Sequence, residues 1–565
     1  MPLQREIMVP VTTPEVEAVG LQHARTMCDL LLSTAWRYPD RVALRSFETG
    51  IAWTYSEAMA RIGAVLQRLR ELGVGTGCVV ALMMRNIPQF HIVDSAVMLA
   101  GGDPFSVYNT MPPEQVEYVL SDAGARIVIA ESGFVPVLRA AVALGAPIER
   151  ILVVDEAVEG CADLLSELTA QRCGFDFGSL PTVAPDDLLT LIYTSGTTGP
   201  PKGVELTHAG MVAQLAGIHA AMPISGGGRQ VSFLPAAHIA DRWTSHYSAF
   251  MTYGNTLTCV ADAANLPSCV ARTRPTVFGA VPRVWEKFKT AIENSYSGDV
   301  LADATADPAI GRALLEDLGF GEIEWSVTGA APTPPAVVSF FVTLGMPLCE
   351  GLGMSEASCL VSVNTPEALQ AGSVGRLLAS VQARTAEDGE LLVRGPQIMR
   401  GYRGQPARTV EAIDTDGWLH TGDIARIDDD GFLWIVDRKK ELIITAAGKN
   451  LSPANIEMAV RSAGNLIGHV CVVGEARPYV VALLCLDPVA VANRALDDPE
   501  LREAVQAQID RANATLARVE QIKKFAIVQR EWTPGAELTP TMKLRRAAVA
   551  SAHARDIEDL YATGR

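Results

Sequence analysis

The chain has few of the signals that would make it a metal ribbon, a disulfide scaffold or a membrane protein. Its ten cysteines run from Cys28 to Cys485 with no Cys-x-x-Cys pair, so structural zinc and thioredoxin-like redox sites have no support. A chain of 565 residues also buries enough core to need no disulfide staples. The nine histidines show no His-Glu-x-x-His spacing. No uncharged apolar run approaches the ~18–20 residues of a membrane span. The most apolar runs, Val79–Met84 and Val480–Leu486, read as buried strands. The opening MPLQREIMVPVTT lacks the apolar stretch of a secretory signal. Basic residues are outnumbered, 47 against 64 acidic, and a net charge of −17 counts against nucleic acid as a partner. The expectation is a soluble, cytoplasmic protein without a transmembrane segment; peripheral membrane contact stays open.

What is present is a globular α/β chain too long for one core. Hydrophobic residues make up 48% and charged residues 20%. Met59–Leu72 carries apolar residues at helical spacing and stops at Gly73. Strand-like runs follow at Val79–Met84, Arg126–Ala130 and Arg150–Val154. Such alternation predicts layered α/β subdomains. Asn294–Glu324 is polar and rich in Ala and Gly, and reads as a surface excursion. Asp428–Asp430 with Gly431 predicts a tight turn between two strands, and the composition breaks just beyond it. From residue 437 onward there are 18 basic and 16 acidic residues, leaving 29 and 48 before it. The expected organisation is a large acidic domain over 1–436 and a small, slightly basic α+β domain over 437–565.

The most informative stretch is Thr194–His208, TSGTTGPPKGVELTH, directly after the strand-like LLTLIY. Five hydroxyl residues and three glycines in fifteen suit a loop that wraps phosphate. Glycines let backbone N–H groups turn inward, hydroxyls add donors, and Lys202 adds positive charge. It is not a Walker A loop, because Pro201 and Gly203 flank Lys202 where Gly and Ser/Thr would be needed.

At this loop the chain resembles the acyl-activating (adenylate-forming) superfamily. Further stretches carry the likeness in family order: Thr328–Pro332 (TGAAP), Glu350–Glu356 (EGLGMSE), Trp418–Asp428 (WLHTGDIARID), Asp437–Ile443 (DRKKELI) and Pro540–Lys543 (PTMK). FLPAAHIADR (Phe233–Arg242) and AAGKNLSPANIE (Ala446–Glu457) look most like bacterial long-chain fatty acyl-CoA synthetases. The resemblance implies a ligase that converts a medium- or long-chain fatty acid and ATP to an acyl-adenylate and pyrophosphate. Coenzyme A then takes the acyl group and AMP leaves.

The resemblance also implies site residues. Lys543 bridges carboxylate and α-phosphate, Glu356 holds Mg²⁺ with Thr194 as a further candidate ligand, and His238 gates the acyl pocket. The nucleotide is held by Thr194, Ser195, Gly196, Thr197, Thr198, Gly199 and Lys202, by Gly329, Ala330 and Ala331, and by Glu350, Gly351, Leu352, Gly353 and Ser355. Asp423 and Arg438 serve the ribose. Lys440 is the hinge, and Gly448 and Lys449 face the coenzyme A channel. Leu352 departs from the pattern: an aromatic usually stands there, and its loss forfeits stacking worth roughly 0.5–1.5 kcal/mol. Alternative readings are an acyl-AMP ligase that loads a carrier protein, a ligase for another carboxylic acid, and a non-catalytic adenylate binder.

Overall fold

The structure, a computed structural model, describes residues 20–562 apart from 172–175, 195–199, 492–493, 534 and 540–542. The helix expected over Met59–Leu72 spans Tyr55–Glu71. It starts earlier because Thr54 and Glu57 form a capping box: each side chain accepts the other's backbone N–H. Runs of Val, Ile and Leu become buried strands. Val79–Met83, Ile127–Ala130 and Arg150–Val153 lie side by side in an eight-stranded sheet. Asp103–Ser106 and Leu188–Thr194 extend it in parallel, and Lys202–Thr207 and Gly401–Tyr402 close that edge antiparallel.

A second sheet holds three parallel strands, Val277–Ala280, Trp325–Gly329 and Leu348–Met354, before it turns antiparallel through Cys359–Val363. An all-antiparallel sheet contains Gln382–Thr385, Glu390–Arg394, Leu419–Ile427 and Leu433–Arg438. The turn predicted at Asp428–Gly431 joins the last two. The Asp428 carboxylate accepts the Phe432 N–H at 2.9 Å, and Gly431 takes φ 83°.

Asn294–Glu324 differs from its expectation. It holds two helices, Gly298–Ala306 and Pro308–Asp317, capped by Ser297 and Asp307. Leu314, Leu315 and Phe320 enter the aromatic core around Trp285 and Phe341. So few apolar residues among Ala and Asp make a weak periodic signal, and packing supplies the rest.

Beyond Arg438 the chain packs on cores of its own. Ile456, Val460, Leu484, Val505 and Ile509 gather under the sheet formed by Ile467–Val473, Val481–Leu486 and Lys524–Ile527. Among the described residues, ion pairs of Arg283 with Asp487 and of Arg461 with Glu286 tie the body of this smaller domain to the larger one, and Lys439 pairs with Asp388 and Glu390 beside the junction. Among the described residues no helix is long and apolar enough to cross a membrane, and all nine described cysteines are free.

Candidate active site

The site lies where strands end at their carboxyl sides, the usual place for ligands in α/β sheets. Thr194 ends its strand directly opposite Lys202 on the antiparallel neighbour. Ser195, Gly196, Thr197, Thr198 and Gly199, between them, lie outside the described residues, as do 540–542 before Lys543.

Gly329 ends the middle parallel strand in register with Gly351. A side chain at Gly329 would meet the Gly351 carbonyl oxygen at 2.8 Å, and one at Gly353 would meet the Cys359 carbonyl oxygen at 2.5 Å. These glycines are therefore required by strand contact, whatever else they do. Ala330 follows at φ 69°, and Ser358 and Cys359 sit at 55° and 113° on the other side of the site. Left-handed backbone at non-glycine residues costs roughly 1–3 kcal/mol each, and such strain clusters at ligand-binding turns. Ala331 is exposed beside them, and Leu352 is half-buried, packed on the main core.

Glu350 is buried. One carboxylate oxygen accepts the Thr333 N–H at 3.0 Å, and the other has no partner among the described residues. Burial raises its pKa to about 7, against the Thr333 hydrogen bonds. An orphaned buried oxygen at this edge fits a hydrogen-bonding base.

The charged part of the site draws on several sheets. Asp423 and Arg438 stand opposite each other on paired strands, with Nε to Oδ1 at 2.9 Å. Asp423 is buried and its pKa is raised by burial, with Arg438 and Lys543 pulling it back. Lys543 reaches the same cluster from the smaller domain. Its side chain keeps access to solvent, yet the protein around it lowers its pKa. Lost solvation is the main cause, followed by the Arg438 charge; Asp423, Glu356 and Glu441 act the other way. A backbone loop steadies it: the Lys543 N–H donates to the Thr539 hydroxyl at 3.0 Å, and its carbonyl accepts the Thr539 N–H at 2.8 Å.

His238 joins them electrostatically. Burial, then the Lys543 charge, lowers its pKa to about 3. Its Nδ1 accepts the Ala240 N–H at 3.1 Å, so the neutral ring carries its proton on Nε2. Ser355 is buried and Glu356 half-buried in the short 3₁₀ turn after Met354.

Lys202, Glu356 and Tyr402 form one group. The Lys202 ammonium lies 4.2 Å from the centroid of the Tyr402 ring, and the Tyr402 hydroxyl donates to Glu356 Oε1 at 2.9 Å. Loss of solvation lowers the Lys202 pKa, and Glu356 opposes it. Tyr402 was not legible as a site residue. It occupies a two-residue strand far along the chain, and only the pairing of that strand with Lys202–Thr207 brings it here.

Lys440 lies at the corner of the turn closed by the Glu441 N–H on the Arg438 carbonyl, with its side chain exposed. Gly448 and Lys449 are elsewhere. They form the exposed tip of the hairpin Ile443–Ile444/Asn450–Leu451, whose hydrogen bonds run to Glu475, Ala476 and Arg477.

A cluster of cations facing two carboxylates, beside a buried acceptor, is what a nucleotide triphosphate and its metal require. A model of the AMP-binding enzyme family matches residues 32–403, and one of the AMP-binding enzyme C-terminal domain matches 440–565. The chain belongs to the AMP-binding enzyme family. Among its relatives is a Mycobacterium tuberculosis protein named "Putative fatty-acid–CoA ligase fadD11", 45% identical over 71% of this chain and 78% of its own. Long-chain-fatty-acid–CoA ligase FadD15 of the same species is 34% identical over 93% of this chain and 95% of its own. The fold is also that of the adenylation domain of a Mycobacterium chelonae carboxylate reductase. That match has a TM-score of 0.82 at 20% identity and covers 97% of this chain and 95% of that one.

Proposed function

We propose that the protein is an ATP-dependent acid–thiol ligase that activates a fatty acid as its acyl-adenylate and passes the acyl group to coenzyme A. The observation that carries this reading is the electrostatic coupling of Lys543, from the smaller domain, to Asp423, Glu356 and His238 of the larger one and to Arg438 at the junction between them. FadD15 is named a long-chain-fatty-acid–CoA ligase and fadD11 a putative fatty-acid–CoA ligase, and the reading extends that activity to this chain.

In the first half-reaction a carboxylate oxygen of the acid bonds to the α-phosphorus and the bond to pyrophosphate breaks. Two anions must approach each other, so preorganised positive charge is the main requirement. Lys543 bridges the carboxylate and the α-phosphate, and the Ser355 hydroxyl donates to the same phosphate. Asp423 accepts from the ribose hydroxyls, while Arg438 orients that carboxylate and opposes the effect of burial on it. Glu350 offers its free oxygen to the base, beside Gly329–Ala331 and Gly351–Gly353. Lys202 and the hydroxyl-rich loop of Thr194–Gly199 hold the departing phosphates.

The Glu356 carboxylate keeps lone pairs beyond the Tyr402 hydrogen bond, which suits it, with Thr194 as a second candidate, to hold Mg²⁺. Bound there, the ion would neutralise charge on the leaving pyrophosphate. Neutral His238 lines the boundary between acid and nucleotide without adding charge that would compete with Lys543 for the carboxylate.

In the second half-reaction the coenzyme A sulfur bonds to the acyl carbon and AMP leaves. The exposed turn at Lys440 is the proposed pivot, just past the strand Leu433–Arg438 and within a few residues of the boundary expected at 436/437. Rotation there would carry Lys543 away and bring the Gly448–Lys449 hairpin towards the thiol.

The experiment is pyrophosphate release with a series of fatty acids of increasing chain length, with and without coenzyme A. Acid-dependent release, with acyl-CoA formed only when the thiol is present, is the expected result. No release with any acid would refute the ligase. Release without thioester formation would move the acceptor to a carrier protein.

A further inference from the structure

Lys202 and Glu356 carry opposite charges in one half-buried corner, and both are needed free for a metal-bound triphosphate. A bare ammonium and carboxylate at such a place would be expected to pair directly, since partial burial strengthens their attraction. Instead one aromatic ring serves them both. The Lys202 ammonium lies over the Tyr402 ring at 4.2 Å from its centroid, while the Tyr402 hydroxyl donates to Glu356 at 2.9 Å. The negative face of the ring and the donor at its edge are electrostatically distinct, so each charge has a partner that is not the other.

The ring itself is fixed. Tyr402 is 8% exposed. Its N–H donates to the Thr409 hydroxyl at 2.9 Å, and its strand pairs with the one that begins at Lys202. Gly401 before it has no room for a side chain, because Thr409 would lie 2.7 Å away.

We propose that Tyr402 is a positioning residue for the nucleotide step: it keeps Lys202 and Glu356 apart, so that the lysine stays presented to phosphate and the carboxylate to the metal. This rests on the assignment of Glu356 to Mg²⁺ and of Lys202 to phosphate. A phosphate group attracts the lysine more strongly than the ring face does, so Lys202 can transfer without breaking an ion pair. The hydrogen bond from Tyr402 occupies one carboxylate oxygen and orients the other lone pairs.

The test is binding of ATP by calorimetry without acid, over a Mg²⁺ series, for the wild type, Tyr402→Phe, Tyr402→Leu and Glu356→Gln. Tyr402→Phe keeps the ring face and loses the donor. It should raise the half-saturating Mg²⁺ about tenfold, the effect of one hydrogen bond to a charged group, and leave ATP affinity at saturating Mg²⁺ nearly unchanged. Tyr402→Leu should weaken both, and the KM for the fatty acid should move in neither. The Phe variant is isosteric, so it decides the matter if the Leu variant does not fold. A shifted Mg²⁺ requirement in Glu356→Gln with none in Tyr402→Phe would reduce Tyr402 to packing and overturn the inference. No shift in either would remove the metal from Glu356, and the inference would fall with that assignment.

Discussion

Lys543 is exposed, yet it sits among Asp423, Glu356 and Arg438. Removing its charge should therefore leave folding intact and strike the chemistry. Lys543→Ala is expected to lose ~3 kcal/mol or more of transition-state stabilisation, at least about a hundredfold in acid-dependent pyrophosphate release. A variant that kept most of the rate would take the bridging role away from this residue. His208 shows the opposite case, a titratable group that matters for stability. It is 2% exposed, its Nδ1 accepts the Met27 N–H at 3.2 Å, and burial lowers its pKa from 6.5 to about 4 against the pull of Asp187 and Asp29. The unfolded chain takes up a proton near pH 6.5 that the folded ring refuses until about pH 4. Its contribution is thus complete above pH 6.5 and is lost as pH falls through that window, by up to about 3 kcal/mol. Denaturant titrations across the window should show a shallower fall for His208→Gln, which accepts the same hydrogen bond but does not titrate. An unchanged pH slope would show that the ring takes up its proton at the same pH in the folded and unfolded chain. Lys543 was legible from its motif; His208 was not, because a lone histidine says nothing about its burial until the helix His208–Ala221 is packed.

At the scale of elements, the stretch FLPAAHIADR ends in a π-helix, Arg242–Phe250, which has no sequence signature of its own. It is held by a fully buried network. Arg242 pairs with Asp94 and donates to the Ser106 hydroxyl at 2.9 Å; His246 meets Asp94 at 2.8 Å and His91 at 2.9 Å. Burial pushes the Asp94 pKa up, but Arg242 and His246 outweigh it and hold it at about 2. Removing one partner would leave a guanidinium unpaired in the core. Asp94→Ala is therefore expected to cost about 3–5 kcal/mol in denaturant unfolding. A loss under about 1 kcal/mol, the scale of an exposed pair, would mean that water relieves the charge. The opposite partner came from a helix, Pro88–Leu99, that shows only an apolar pattern in sequence. The stretch Glu350–Glu356 was legible as a family motif, but that Gly351 and Gly353 each answer a close approach of neighbouring backbone emerged only from the sheet.

For the whole molecule, the decisive feature is the placement of the smaller domain. Arg283 and Glu286 sit on one helix of the larger domain and pair with Asp487 and Arg461 of the smaller, all with a third or less of the side chain exposed. Such pairs are each worth about 1 kcal/mol or less and weaken with salt. Arg283→Ala with Glu286→Ala should slow acid-dependent pyrophosphate release several-fold at low ionic strength. Thioester formation from preformed acyl-adenylate should keep its rate, because under the proposed rotation at Lys440 that step uses the other arrangement. Equal slowing of both steps would show that the pairs do not select between arrangements. Motif order and residue type were enough to determine the family, the plan of a larger and a smaller domain and the ligase chemistry, and to single out Lys543 as the lysine proposed to carry it. Those are properties of local pattern and residue type. Which carboxylates surround Lys543, that Tyr402 stands between Lys202 and Glu356, and that Leu314 and Phe320 are core were decided only in three dimensions. Each depends on strands and helices distant in the chain meeting side by side, and burial, not identity, then sets how each charge behaves.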